Sequence, residues 1–121
     1  MSSIQDRFSE LTKDQQYILS ILYKSYLDCS KSGEIKVRCN NFGEASEIHS
    51  NYFTEFHFQD IESDLKKLKK HGFLKGVIAD ATINHVEIAD ATISYFENEF
   101  KNNMKSLLGY ISQVASFIPG L

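Results

Sequence analysis

The sequence predicts an α+β domain in which a group of helices is followed by one small antiparallel hairpin and a C-terminal helix. Three observations carry this. Apolar residues recur at helical spacing through most of the first seventy positions. The period changes to alternation directly after Gly72, and helical spacing returns from Asp90 onwards. At 121 residues, 42% apolar and 24% charged, the chain is long enough for one domain with its own core, and disorder is excluded.

Ile4, Phe8 and Leu11 have the spacing of a short lead-in helix. Thr12-Lys13-Asp14-Gln15 has the form of a capping box and opens a helix near 12–29, with Ile18, Leu19, Leu22, Tyr23 and Tyr26 on one face. Glu34-Ile35-Lys36-Val37-Arg38 alternates polar and apolar, which predicts a strand near 34–38 with Ile35 and Val37 inward. Asn40 or Asn41 is expected to cap a helix near 41–50 that buries Phe42 and Ile48. Ser50 to His57, with Tyr52, Phe53 and Phe56, reads as a turn plugged by aromatics.

The helix expected near 57–71 is the clearest element. Ile61, Leu65 and Leu68 share a face, carboxylates lead and lysines come after them, as the helix dipole favours. Gly72 then stands where a left-handed cap residue belongs, with Phe73 placed to fold back on Leu68. Strands are expected near 74–79 and 85–88 around a tip at Ala81 to Asn84, with Phe73, Leu74, Ile78, Val86 and Ile88 in the core. Asp90 opens a helix near 90–118 that also buries Phe96 and stops at Pro119-Gly120. Ile78-Ala79-Asp80-Ala81-Thr82-Ile83 recurs identically at Ile88 to Ile93. Two copies are too few for a repeat architecture, and only the second leads into a helical pattern, so the copies are expected to differ in structure.

The order helix, strand, helix, helix, two-stranded hairpin, helix resembles the winged-helix domain. Leu65-Lys66-Lys67-Leu68-Lys69-Lys70-His71-Gly72-Phe73-Leu74 is similar to the xxLxxLxxxGxI ending of its third helix. More narrowly, Gly72-Phe73-Leu74-Lys75-Gly76 and Ile88-Ala89-Asp90-Ala91-Thr92-Ile93-Ser94-Tyr95-Phe96-Glu97 resemble two stretches of the YjcQ-like winged-helix proteins of phages and prophages. These are the wing start and the opening of the last helix. The resemblance covers residues 11 to 100 and departs at Ala89, where Thr is usual, and at Thr92, where Gly is usual. It implies a winged-helix domain over 1–100, with a three-helix core and a small antiparallel wing, plus a C-terminal helical tail over 101–121. It implies wing geometry and no chemistry.

The sequence supports two functional readings. In the first, the chain is a non-enzymatic regulator from a phage or mobile element that binds DNA weakly as a dimer, Lys66, Lys67, Lys69, Lys70 and Lys75 contacting phosphates. Segment 59–76 carries a net +2 in a chain of net −3, yet the same lysines also make sense as a solvated, dipole-matched face. Against DNA stand the carboxylates in the first half of that helix, where base contacts usually arise. In the second reading Asp60, Glu62, Asp64, Asp80 and Glu87 form an acidic face for a basic partner, as in a phage accessory protein that blocks a host nucleic-acid-binding protein.

Residues from Ser106 onwards carry no charged side chain. An unbroken helix over 90–118 would overhang its domain, making Phe100, Met104, Leu107, Ile111 and Ile118 the seam of a homodimer. The alternative is a break near Asn102-Asn103 or Gly109 that lets the tail fold back.

No catalytic motif, cofactor loop or metal-ligand spacing is present, so an enzyme, a cofactor and a metal are not expected. A Cys39–His49 nucleophile and base is weighed and set aside. Cys29 and Cys39 are expected as free thiols. The stretch Met1 to Phe8 lacks the marks of a secretion signal, and no apolar run is long enough to span a membrane, which points to the cytoplasm.

Overall fold

In a computed structural model that describes residues 3–121, the chain is α+β, with seven helices and a two-stranded antiparallel sheet among the described residues. Met1 and Ser2, which belong to the stretch read above for a secretion signal, lie outside the described residues. The elements are α1 (Ile4–Ser9), α2 (Lys13–Lys31), α3 (Lys36–Cys39), α4 (Ala45–Tyr52), α5 (Phe58–Lys70), β1 (Leu74–Ala79), β2 (Thr82–Ile88), α6 (Asp90–Phe100) and α7 (Met104–Ala115). The arrangement of α2, α4, α5 and the hairpin is compatible with a winged-helix-like domain.

The middle of the fold is α2, whose Ile18, Leu19, Leu22 and Tyr23 are fully buried. Its start is fixed by the expected capping box: Gln15 N donates to Thr12 Oγ1 at 3.1 Å and Thr12 N to Gln15 Oε1 at 3.2 Å. Buried Gln16 joins three elements. Its amide donates to the carbonyls of Phe8 (3.2 Å) and Leu11 (3.1 Å), and its oxygen accepts from Tyr110 of α7 (3.3 Å). Each polar atom of that side chain is therefore satisfied, which burial demands. Aromatic rings fill the space between α1, α2 and α6: Tyr23 stacks on Phe96 at 4.7 Å, and Phe8 meets Tyr95 at 4.7 Å and Phe96 at 5.5 Å.

Residues 34–38 are not a strand. Glu34 accepts from the Ile35 N–H, Arg38 reaches Glu34 one turn away, and the chain winds into α3. Ile35 (54%) and Val37 (72%) are exposed, so alternation here did not mark a buried face. What holds the segment is a disulfide between Cys29 and Cys39, whose Cα atoms are 5.5 Å apart. The turn at Gly33 (φ 101°) sends the chain back along the end of α2, so the two thiols expected to be free meet across ten residues. The bond also removes the Cys39 thiol from any pairing with His49, whose Nε2 lies 2.8 Å from the Phe56 carbonyl.

The third strand of the expected order is reduced to a single bridge further along. Phe42 N donates to Val86 O and Val86 N to Gly43 O, both at 3.0 Å. Asn40 does not open the next helix; it is the C-terminal cap residue of α3. Its amide donates to Ile88 O (2.9 Å) and accepts from Ile88 N (2.7 Å), standing in for a neighbouring strand. The helix expected near 41–50 begins at Ala45, behind a capping box of Glu44 and Glu47.

The cap of α5 is as expected. Phe73 N donates to Leu68 O at 2.9 Å and Gly72 N to Lys69 O at 3.0 Å, the paired bonds of a Schellman motif, with Gly72 at φ 84°. The hairpin tip is Asp80-Ala81, ahead of the expected Ala81 to Asn84, and β2 starts at Thr82. The register shifts between Lys75 and Val77, where His85 (φ 56°) is the extra residue on β2. This bulge lets Ile83, Val86 and Ile88 all face the core although 83 and 86 are an odd number of residues apart. Ile78, expected inward, is half exposed.

The single helix over 90–118 is also corrected. Lys101 (φ 50°) and Asn102 (φ 59°) turn the chain, and Asn103 caps α7 by accepting from Ser106 N. The bend is pinned to the end of α2, where Lys31 donates to the Asn102 carbonyl at 3.0 Å. Helix α7 therefore packs along α2. Leu107, Ile111 and Ile118 are buried in their own domain, with Phe100 and Met104 packed against the core. The overhang that would have made them a dimer seam does not exist. Among the described residues no helix is long and apolar enough to cross a membrane.

Candidate nucleic-acid interface

Helix α5 is anchored by Ile61, Leu65 and Leu68, all buried, so its remaining faces are offered to the hairpin on one side and to α2 on the other. These two neighbours sort its charges. Glu62 accepts from the Thr82 hydroxyl at 3.0 Å and lies 3.7 Å from the Lys66 ammonium. Lys66 itself donates to the Ala81 carbonyl at the hairpin tip. On the other side Asp64 accepts from the Gln15 amide at 3.2 Å. Burial raises the Asp64 carboxyl above its ordinary value, and the Gln15 hydrogen bond opposes that rise.

Two of the three carboxylates in the first half of α5 are thus braces to neighbouring elements. Asp60 alone stands exposed without a partner among the described residues. The lysines are placed differently. Lys66, Lys67, Lys69 and Lys70, with Ile78 of β1, line an open cleft of about 400 Å³ between α5 and the hairpin. Lys67, Lys69 and Lys70 form no ion pair among the described residues, and Lys67 and Lys70 are exposed. Lys75 is not part of this group: it stands opposite Glu87 in the strand register, away from the cleft.

The five acidic residues considered as one face are not brought together. Asp60 is on the first turn of α5, Glu62 faces the hairpin, Asp64 faces α2, and Asp80 is at the hairpin tip. Glu87 lines a separate cleft of about 440 Å³ with Lys36, Asp90 and Glu97. The sequence does not show Thr82 and Gln15 as partners of the α5 carboxylates; it marks Gln15 only as a helix-capping residue. Nothing local marks a hydroxyl twenty positions away as the partner of Glu62. Among the described residues no three His, Cys, Asp or Glu side chains are placed to hold a metal ion.

Comparison with family models, with curated proteins and with solved structures finds no match for this chain.

Proposed function

We propose that the protein is a winged-helix nucleic-acid-binding module that holds the phosphate backbone of duplex DNA in the cleft between α5 and the hairpin. In this reading α2, α4 and α5 are the three-helix core, β1 and β2 the wing, and the Gly43–Val86 bridge the remnant of the third strand. The observation that carries it is the sorting of charge on α5. Glu62 and Asp64 are spent on Thr82, Lys66 and Gln15, while Lys67, Lys69 and Lys70 stay free beside an exposed Ile78. The carboxylates that would repel phosphate are largely taken out of the way.

Base-edge contacts would fall to Gln59 and Ser63, both exposed on α5. Two short polar side chains offer little discrimination, so binding is governed by charge and by salt. A regulatory role carried by a mobile element belongs with the resemblance to the YjcQ-like proteins and is proposed with it. The reading as an acidic surface for a basic partner is less well supported, because its residues occupy separate places.

Anisotropy of a labelled mixed-sequence duplex tests the proposal. Replacing Lys67, Lys69 and Lys70 by Gln should flatten the plot of log affinity against log salt by about 0.9 for each phosphate that is no longer neutralised. Lys66 is left intact because it holds the hairpin tip. An unchanged slope, or no binding by the parent chain at low salt, overturns the reading.

A further inference from the structure

We propose that the free edge of β1 accepts an extended acidic peptide segment as an added antiparallel strand, its carboxylates meeting the lysines of α5. The sheet has two strands, so β2 covers only one side of β1. The far side of β2 is already engaged by the Gly43–Val86 bridge and by Asn40, which leaves β1 as the open edge.

The hairpin determines which groups point outward. Asp80 and Ala81 both have positive φ and form a two-residue loop, so the flanking pair Ala79 and Thr82 exchanges both its hydrogen bonds inside the hairpin. Val77 stands opposite Asn84 in the same phase. The N–H and C=O of Gly76 and Ile78 therefore point away from β2. No backbone hydrogen bond joins either residue to another element among the described residues. The edge is also undefended. Between Lys75 and Asp80 it carries no charged residue and no proline, and Val77 (53%) and Ile78 (50%) are exposed.

Charge selects the occupant. Ile78 lines the cleft of about 400 Å³ with Lys66, Lys67, Lys69 and Lys70, and no carboxylate lines it. An antiparallel strand bonded to Gly76 and Ile78 sets the residues opposite them on this same face. Carboxylates belong at those positions, while the alternate residues lie beside Val77 and suit β-branched side chains. A second copy is disfavoured, because pairing β1 with its twofold mate brings two such lysine groups together. Backbone bonds would hold the segment and side chains would select it, as in other cases of strand addition. The inference does not rest on duplex binding; where both partners bind, they compete for the same lysines.

Two end-blocked heptapeptides of alternating Glu and Val test it, one N-methylated at every Val and the other at every Glu. Their charge and composition are equal, but only the first keeps the Glu N–H groups that would bond to β1. Titrated into the full chain, the first should bind saturably at about 1 mM or below. It should also slow amide exchange at Gly76 and Ile78. The Glu-methylated isomer, and a Lys–Val peptide methylated at Val, should each bind about tenfold more weakly or worse. Replacing Lys67, Lys69 and Lys70 together by Gln removes no buried residue and should weaken the first peptide about as much. Equal binding by the two isomers would mean that charge alone attracts them, and overturns the proposal. So does binding that leaves Gly76 and Ile78 unprotected, an unchanged affinity in the lysine variant, or failure of the first peptide to saturate by about 10 mM. Protection of the same two amides by self-association of the chain, without peptide, would give the edge to a second copy and overturns it as well.

Discussion

Ile78 to Ile83 and Ile88 to Ile93 are the same six residues in two different structures. In the first copy Ile78-Ala79 ends β1, Asp80 and Ala81 turn at φ 53° and 65°, and Thr82-Ile83 starts β2. In the second, Ile88 ends β2, Ala89 precedes α6, and Asp90 to Ile93 form its first turn. Burial is nearly reversed at the outer positions: Ile78 is half exposed and Ile88 fully buried, whereas Ile83 is fully buried and Ile93 only partly. Both threonines donate, Thr82 to the Glu62 carboxylate at 3.0 Å and Thr92 to the Phe73 carbonyl at 2.9 Å. Local propensity is identical in the two copies, so the difference comes from their chain neighbours and from the surfaces they pack on. The helical stripe of Phe96 and Phe100 continues the second copy, whereas the Glu62–Thr82 and Lys66–Ala81 contacts hold the first to α5.

The comparison is sharpened most by its isoleucines. Ile83→Ala removes a fully buried side chain from under the hairpin and should cost about 2–5 kcal/mol. Ile93→Ala should cost about 1 kcal/mol, because a partly buried side chain leaves no closed cavity and Ala favours the helix. Urea unfolding of the two variants measures both. Equal losses would mean that the two copies are buried alike.

Where the contacts are local, the sequence could be read. The capping box at Thr12 and the Schellman cap at Gly72 each lie within six residues, and both stand where spacing placed them. Elsewhere the deciding contact was distant or broke the period. The bulge at His85 puts Ile83 and Val86 out of alternation, which hid the first half of β2. Ile35 and Val37 alternate as a strand would, but the Cys29–Cys39 bridge determines the path of that segment. The apolar stripe of the tail fits a dimer seam and a folded-back helix equally well. Lys31 at the Asn102 carbonyl pins the bend on the side of the second. The lysines of the candidate interface were visible as a cluster, but not the engagement of Glu62 and Asp64, which depends on Thr82 and Gln15 from other elements.

The threonines give a smaller contrast. Thr92→Val keeps the shape but removes a fully buried hydrogen bond, and should cost about 1–1.5 kcal/mol. The Phe73 carbonyl still accepts from Ala89 N at 3.1 Å, which limits the loss. Thr82→Val should cost about 0.5 kcal/mol, since Val suits a strand and Glu62 retains Lys66 and some access to water. Thermal unfolding resolves the difference, and a larger loss at Thr82 would mean that the brace to α5 outweighs the buried bond.

The smallest expected effects have opposite signs. Ala81 closes a two-residue hairpin loop with φ 65°, a left-handed conformation that costs an L-residue about 1 kcal/mol or more. Ala81→Gly removes that cost and turns the tip into Asp-Gly, the pairing a two-residue turn with both φ values positive favours. The variant should gain about 0.5–1 kcal/mol. Its carbonyl still accepts from Lys66, so the cleft beside α5 is undisturbed. Ala91, the matching residue of the second copy, is exposed in the first turn of α6, and there Ala91→Gly gives up helix propensity and should lose about 0.5 kcal/mol. One substitution in one hexapeptide should therefore raise the melting temperature at position 81 and lower it at position 91. Calorimetry on the pair decides it. A fall at both positions would mean that the hairpin tip does not hold Ala81 in the left-handed region, and the contrast between the copies would lose its turn.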